Sequence, residues 1–315
     1  MSGNRLLRDA AQAPRFALVL GSGGVRSIAA LGLVEVLARE GLRPDLIAGC
    51  SAGALFGALV AAGHRADEAV RIATTLWSAD VTHRRRWQAI PQMLWPRLAR
   101  FDADFALRDD RLVMRRLDEA FGDLQIESLA TALRVAATDA ATGERVVIGR
   151  GPLVPALRAS IALPFMFAPV QIGGRRLIDG FIADPLPVSA AADAQAVLAL
   201  GFEAPMPRRI DGPSRMLAQV TSALTNNLMQ ARLAAAGAPG HVGLLALVPR
   251  LERRIGLFDT GAMPWLVQAG RRAAEAALPD ILALLARSSE RSGASGRATV
   301  VGARVDISGE RRAAI

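Results

Sequence analysis

Tyrosine and lysine are missing from this chain of 315 residues, and cysteine occurs once, at Cys50. A single cysteine excludes an internal disulfide, so nothing in the chain calls for an oxidising compartment. That cysteine and three scattered histidines (His64, His83 and His241) cannot assemble a metal site, so neither a metal nor a cofactor is expected. Aromatic residues make up 4% of a chain that is 51% hydrophobic. The core must therefore be built from Ala, Leu, Val and Ile, as in parallel sheets covered by helices. Without lysine, all 38 basic residues are arginines, set against 29 acidic ones for a net charge of +9. That charge does not titrate away at any reachable pH. A basic chain invites nucleic acid, but no nucleic-acid fold motif accompanies the charge, and no nucleic-acid partner is expected. Residues 1–14 are polar, with Arg5 and Arg8 and no long apolar run, and read as a disordered lead-in rather than a secretion signal. Residues 46–63 form eighteen positions without charge, enough to suggest a membrane span. The four glycines and the serine turn inside them argue for a buried turn and helix instead. A cytoplasmic location is expected, with contact at the membrane surface discussed below.

What the chain has is alternation. Apolar runs predict strands over residues 16–20, 46–49, 133–138, 145–149, 197–201 and 244–248. Helical patterns cover 28–40, 52–62, 66–77, 111–121, 213–236 and 264–287. Strand–helix alternation predicts an α/β fold of three layers, a mostly parallel sheet with helices on both faces. No interior boundary stands out, and the length suffices for one large core. We expect one domain over 15–315, with a motif-bearing part to 203 and a helical and strand part over 204–315. A Ser/Gly-rich stretch at 288–296 reads as a linker before a last strand at 298–305.

Three segments carry chemistry. Gly49-Cys50-Ser51-Ala52-Gly53 is a G-x-S-x-G pentapeptide between a strand pattern and an Ala/Leu-rich helix pattern. On a sharp strand-to-helix turn its glycines tolerate close approach, and the Ser51 hydroxyl projects at the sheet edge beside a helix N-terminus. Cys50, its neighbour, points another way and reads as a packed small residue. The second segment, Leu18 to Ser27, runs from a strand into Gly21-Ser22-Gly23-Gly24-Val25-Arg26. A dinucleotide fingerprint would need glycine where Arg26 stands, and a P-loop would need a Gly-Lys-Ser/Thr ending. An oxyanion cradle of converging backbone N–H groups is the surviving reading. The third segment, Arg176 to Pro187, places Asp179-Gly180-Phe181 at a strand end before a proline-stiffened turn. The residues alone leave open a soluble carboxylesterase with an α/β-hydrolase triad of Ser51, Asp179 and His241, because only His241 follows Asp179.

These three motifs, in this order, resemble the patatin-like phospholipase family. The family's glycine-rich loop corresponds to residues 22–27, its G-x-S-x-G serine to Ser51 and its D-G-G/A aspartate to Asp179. Residues 29–37 look like the family's first helix, and 159–165 like the stretch ahead of the aspartate. The likeness covers residues 15–203 and thins towards the end, where Gly256-Leu257-Phe258-Asp259 is similar to the closing elements. It implies a lipid acyl-ester hydrolase with a Ser51–Asp179 dyad and no histidine. Ser51 would attack, Asp179 would act as base, and Gly23, Gly24, Val25 and Arg26 would form the oxyanion hole. Arg26 would help to position the loop or bind lipid phosphate. Gly21, Gly49, Gly53 and Gly180 would be the motif glycines. The chain departs from the pattern at Ser22, Ser27 and Phe181. A ring at 181 would narrow an acyl site or push the aspartate aside, which leaves a catalytically weak lipid-binding or scaffolding protein as the reading from another class.

Residues 77–105 break the alternation. Trp77, Trp87 and Trp95 are interleaved there with His83-Arg84-Arg85-Arg86, Arg97 and Arg100. Such a mixture suits the surface of an anionic membrane, with Trp at headgroup depth and Arg on phosphate. Trp87, Arg84, Arg85 and Arg86 are the expected contacts, and a solvated turn beside core aromatics is the bland alternative. A lipid ester substrate is the expected partner. Nothing in the sequence bears on oligomeric state.

Overall fold

A computed structural model describes residues 15–78, 80, 86–87, 89–237, 243–249, 251, 253 and 255–291. Among them eight strands form one sheet: β1 Phe16–Leu20, β2 Leu46–Cys50, β3 Ala132–Asp139, β4 Arg145–Ile148, β5 Val170–Ile172, β6 Arg175–Asp179, β7 Ala196–Leu200 and β8 Gly243–Leu247. The helices are α1 Ala29–Arg39, α2 Ala52–Ala61, α3 Ala66–Leu76, α4 Ala89–Leu94, α5 Arg111–Phe121, α6 Leu153–Ser160, α7 Pro213–Ala236 and α8 Met263–Arg291. The sheet order is β5-β6-β3-β2-β1-β7-β8, with β4 also paired to β3. The strands β3, β2, β1, β7 and β8 run parallel, β4 and β6 run against them, and β5 is antiparallel to β6.

The period-2 rule shows why the central strands are apolar throughout. Phe16, Leu18 and Leu20 of β1 join the larger core cluster with α1, α2 and α8, while Ala17 and Val19 join the cluster that holds Met229 of α7. Strand β7 divides the same way, with Leu198 and Leu200 on one face and Val197 and Ala199 on the other. Helices thus cover both faces, as the alternation predicts.

Two glycines set how closely α8 lies on α1. A Cβ on Gly270 would fall inside the van der Waals shell of the Ala29 carbonyl oxygen, and one on Gly32 would do the same to that of Val267. The helices touch backbone to backbone, so neither position can take a side chain without prying them apart. Gly270→Val should cost about 3 kcal/mol or more, at the upper end of overpacking penalties. Gly256→Ala, where a Cβ meets open space, should stay within about 0.5 kcal/mol. Urea unfolding of the two variants checks the contrast; equal midpoints would show that the helices can separate freely.

Several elements depart from the sequence expectation. α6 and the three-residue β5 carry no clear period: α6 is buried on every side apart from half-buried Pro155, and β5 is a short edge strand. The short α4 also went without a helical pattern. The expected linker at 288–296 begins inside α8, which runs to Arg291; the Ser288 hydroxyl bonds back to the Leu285 carbonyl at 2.7 Å. The expected last strand, the lead-in at 1–14, His83, His241, Arg84 and Arg85 lie outside the described residues. Trp77 belongs to the core rather than to a surface patch: it is buried and stacks on Phe258 with ring centroids 5.8 Å apart. No described helix is long and apolar enough to cross a membrane.

Candidate active site

The register of β3 brings the serine and the aspartate together. Cys50, the last residue of β2, pairs with Ala136, and Asp179, the last residue of β6, pairs with Ala137. Ala136 and Ala137 also pair with Val147 and Val146 of β4, so β4 occupies one edge of β3 and β2 and β6 share the other. β2 runs parallel to β3 and β6 antiparallel to it. The two strands therefore approach head-on along one edge and end one register step apart.

The chain then turns sharply at Ser51, which adopts φ 56° and ψ −131°, a region that costs a residue with a Cβ about 1–3 kcal/mol. Its glycine neighbours make the turn possible. A Cβ on Gly49 would collide with Ala54, and one on Gly53 would sit 2.5 Å from the carbonyl oxygens of Leu20 and Gly21. The elbow is thus pressed against the glycine loop that follows β1. Ser51 is the N-cap of α2, so the positive end of that helix lies beside its hydroxyl.

The Ser51 hydroxyl donates to Asp179 Oδ2 at 2.7 Å. Asp179 is 2% exposed, and its Oδ1 accepts the Phe181 N–H at 3.0 Å. Burial pushes the carboxyl up to about 7, against the pull of the Phe181 N–H and the Ser51 hydroxyl, which favour the charged form. Such a group is half ionised near neutrality, the state a general base needs. Burial raises the Cys50 thiol as well, with Asp179 and Asp184 adding to the shift, so it stays protonated and unreactive.

Two supporting residues escaped the sequence reading. Ser160, at the end of α6, donates to the Ala136 carbonyl at 2.7 Å and accepts the Ser51 N–H at 2.8 Å. It ties the elbow to β3. Thr138 donates to the Asp179 carbonyl at 2.9 Å and accepts the Ala183 N–H at 3.3 Å, fixing the turn after the aspartate. Gly180 is required in that turn, because a Cβ there would sit 2.5 Å from the Ala136 carbonyl oxygen. Phe181 is half-buried and leaves Asp179 in contact with Ser51; only its backbone N–H serves the carboxylate.

The glycine loop corrects half of the expected oxyanion set. The Val25 N–H is taken by the Leu257 carbonyl at 2.9 Å, and the Arg26 N–H turns back to Gly23 at 3.3 Å. Gly23 and Gly24 keep N–H groups with no partner among the described residues, and Gly24 has φ 57°. The Arg26 guanidinium is 5% exposed and spends its donors on the carbonyls of Gly23 and Glu203, at 3.0 and 2.5 Å. Its burial lowers its pKa to about 10. It braces the loop from beneath and does not face a lipid phosphate. Ser27 likewise donates inward, to the Gly21 carbonyl at 3.0 Å.

A cavity of about 590 Å³ lies beside β6, lined by Phe101, Phe165, Phe167, Arg176 and Ile178 among others. Ile178 and Asp179 are adjacent on one strand and face opposite sides of the sheet, and neither Ser51 nor Asp179 lines the cavity. His64 pairs with Glu68 at 3.2 Å, on α3. Among the described residues no three of His, Cys, Asp and Glu gather as metal ligands.

Comparison with known proteins places the chain among relatives. An uncharacterised NTE family protein of Mycobacterium tuberculosis is 38% identical over 187 residues, covering 59% of this chain and 48% of that protein. Patatin-like phospholipase domain-containing protein 7 of Rattus norvegicus is 31% identical over 189 residues, 59% of this chain and 13% of that one. Lysophospholipase NTE1 of Saccharomyces cerevisiae is 26% identical over 172 residues, 55% of this chain and 10% of that one. The chain spans about half the length of the mycobacterial relatives it matches. Among solved structures, VipD from Legionella pneumophila aligns with a TM-score of 0.43 at 14% identity, over 88% of this chain and 67% of that one. The family model described as patatin-like phospholipase matches residues 18–192, more than half of the chain, and the chain belongs to that family.

Proposed function

We propose that the protein is a serine hydrolase that cleaves acyl esters of phospholipids or lysophospholipids through Ser51, Asp179 and an acyl-enzyme. One observation carries the reading: the 2.7 Å hydrogen bond from a serine at a strained strand–helix turn to a buried carboxylate. The Ser51 oxygen attacks the acyl carbonyl carbon while its proton passes to Asp179. The negative charge that forms on the carbonyl oxygen meets the N–H groups of Gly23 and Gly24 and the N-terminus of α2. Collapse expels the alcohol, which takes the proton from Asp179. Water then attacks the acyl-enzyme and gives a proton to Asp179, which passes it to the departing Ser51 oxygen as the fatty acid is released. The direct Ser51–Asp179 contact supports a dyad, since the serine proton already points at the carboxylate. The names of the rat and yeast relatives support the lipid class of the substrate.

A fluorophosphonate probe followed by peptide mass spectrometry tests the nucleophile. Labelling is expected at Ser51 alone, with turnover of a lysophospholipid by the same preparation. A label on Cys50, or absence of both label and turnover in folded protein, sinks the reading and favours a lipid-binding scaffold.

A further inference from the structure

Two exposed apolar segments stand on the rim that carries Ser51. The first is residues 86–101, where Trp87 is 73% and Leu98 86% exposed, with Met93, Leu94 and Trp95 exposed between them. Among the described residues of this stretch only Ala89 is buried. Its start is tied near the site. The Arg86 N–H bonds to Leu107, and the N–H groups of Leu107 and Arg108 bond to the carbonyls of Phe165 and Met166. Those two residues follow shortly after Ser160, the residue that holds the Ser51 N–H.

The second segment is the first half of α7. Asn226 grips Ala204 through both backbone groups, at 2.7 and 3.0 Å, and Ala204 lies four residues past the end of β7. The Met229 sulfur lies against Gly201, and Leu233 and Ala236 pack on the sheet face below. The helix therefore descends from above the carboxyl edge of the sheet, and residues 213–224 extend beyond it for about 18 Å at 1.5 Å per residue, held at Ser222 by a hydrogen bond to the Pro205 carbonyl at 3.2 Å. Leu217, Val220 and Leu224, one turn apart on one side, are each at least half exposed. Ser51 lies on the same carboxyl edge, at the end of β2.

The charges within both segments are basic. Residues 86–101 contain no Asp or Glu but hold exposed Arg86, Arg97 and Arg100. Ahead of α7, Arg208 and Arg209 are exposed, and Asp211 is paired with Arg215 at 3.1 Å. Exposed Trp and aliphatic residues interleaved with arginine are the composition of a surface that enters the headgroup layer of an anionic bilayer.

We infer that residues 86–101 and the projecting half of α7 form one lipid-docking face that seats the Ser51 mouth on an anionic membrane. The inference rests on the lipid-hydrolase reading for its purpose, but its test does not need catalysis. The full chain carrying Ser51→Ala is mixed with vesicles of phosphatidylcholine, with or without phosphatidylglycerol, at low and high salt. Binding is expected on the anionic vesicles and should weaken as added salt shortens the screening length. Brominated acyl chains should quench the fluorescence of Trp87 and Trp95, read by comparison with Trp87→Phe/Trp95→Phe.

Three variants divide the face. Arg86→Gln/Arg97→Gln/Arg100→Gln should lower partitioning on the order of a hundredfold. Trp87→Ser/Leu98→Ser and Leu217→Ser/Leu224→Ser should each lower it by about tenfold or more. The same changes in a Ser51 background report through hydrolysis of a short soluble ester whether fold and dyad survive. Vesicle binding that none of these variants changes overturns the inference. So does a dimer that Leu217→Ser/Leu224→Ser converts to monomer with vesicle binding intact, because a second copy of the chain then covers α7. Binding that holds while the wild type turns over no ester rejects the hydrolase reading and leaves the docking face standing.

Discussion

Replacing Ser51 by alanine should abolish ester hydrolysis and fluorophosphonate labelling, with kcat falling on the order of 10⁶-fold, the scale on which a serine hydrolase loses its nucleophile. The fold should survive, since Ser160 still receives the backbone N–H of residue 51 and α2 still begins at the turn. Alanine keeps the Cβ and so keeps the strain of φ 56°. Ser51→Gly removes that strain, at the cost of about 0.5–1 kcal/mol in chain entropy. Both variants should be inactive, and the glycine variant should melt at or above the alanine variant. A hydrolase that gave up its serine for a more comfortable turn would thus gain stability, the expected trade where strain serves chemistry. Residual turnover above about a hundredth of wild type in Ser51→Ala would place the nucleophile elsewhere, beyond the reach of the general base alone.

Much of this could be read from the chain, for local reasons. The amphipathic pattern over Arg111–Phe121 and the long pattern over Pro213–Ala236 predict helices with the bounds that the structure shows. The elbow was legible because its constraint is written in neighbouring residues: Gly49 and Gly53 stand where a Cβ would strike Ala54 or the backbone of β1. What stayed hidden depends on register and on distant partners. Nothing in the spacing of Cys50 and Asp179 says that their strands meet head-on along β3, and that meeting makes the dyad. Ser160 and Thr138 are small polar residues in apolar surroundings, and only the fold shows that their hydroxyls clamp the serine and the aspartate. The oxyanion set is narrower than the loop alone suggests for the same reason. A glycine loop promises converging N–H groups, but Leu257, far along the chain, takes the one from Val25. A pattern reports what a segment can do alone; it is blind to which donors a remote carbonyl has already claimed.

Replacing Asp179 by asparagine should lower the rate on the order of 10²- to 10⁴-fold, the range expected when a general base is removed with shape preserved. The pH profile should change with it. The folded carboxyl titrates at about 7, so wild-type activity should rise with pH through that value and level off above it, and the asparagine variant should lack this limb. Stability should move the opposite way. In the unfolded chain an aspartate titrates near about 3.9. Below that pH both states are protonated, and Asp179 brings no penalty. Between there and about 7 the folded protein holds a proton that the unfolded chain has shed, so its stability falls as pH rises, and the loss is complete above the folded value. Asparagine has nothing to ionise. Asp179→Asn should therefore be more stable than wild type at pH 8, with the difference vanishing towards pH 4, as urea unfolding at the two pH values would show. His241→Ala should stay within about threefold of wild-type kcat/KM, as expected for a group outside the transition state. A loss as deep as that of Asp179→Asn would make His241 the base and Asp179 its partner. The dyad reading requires the rate limb near 7 and the stability difference to disappear together in one variant, because both report the same buried proton.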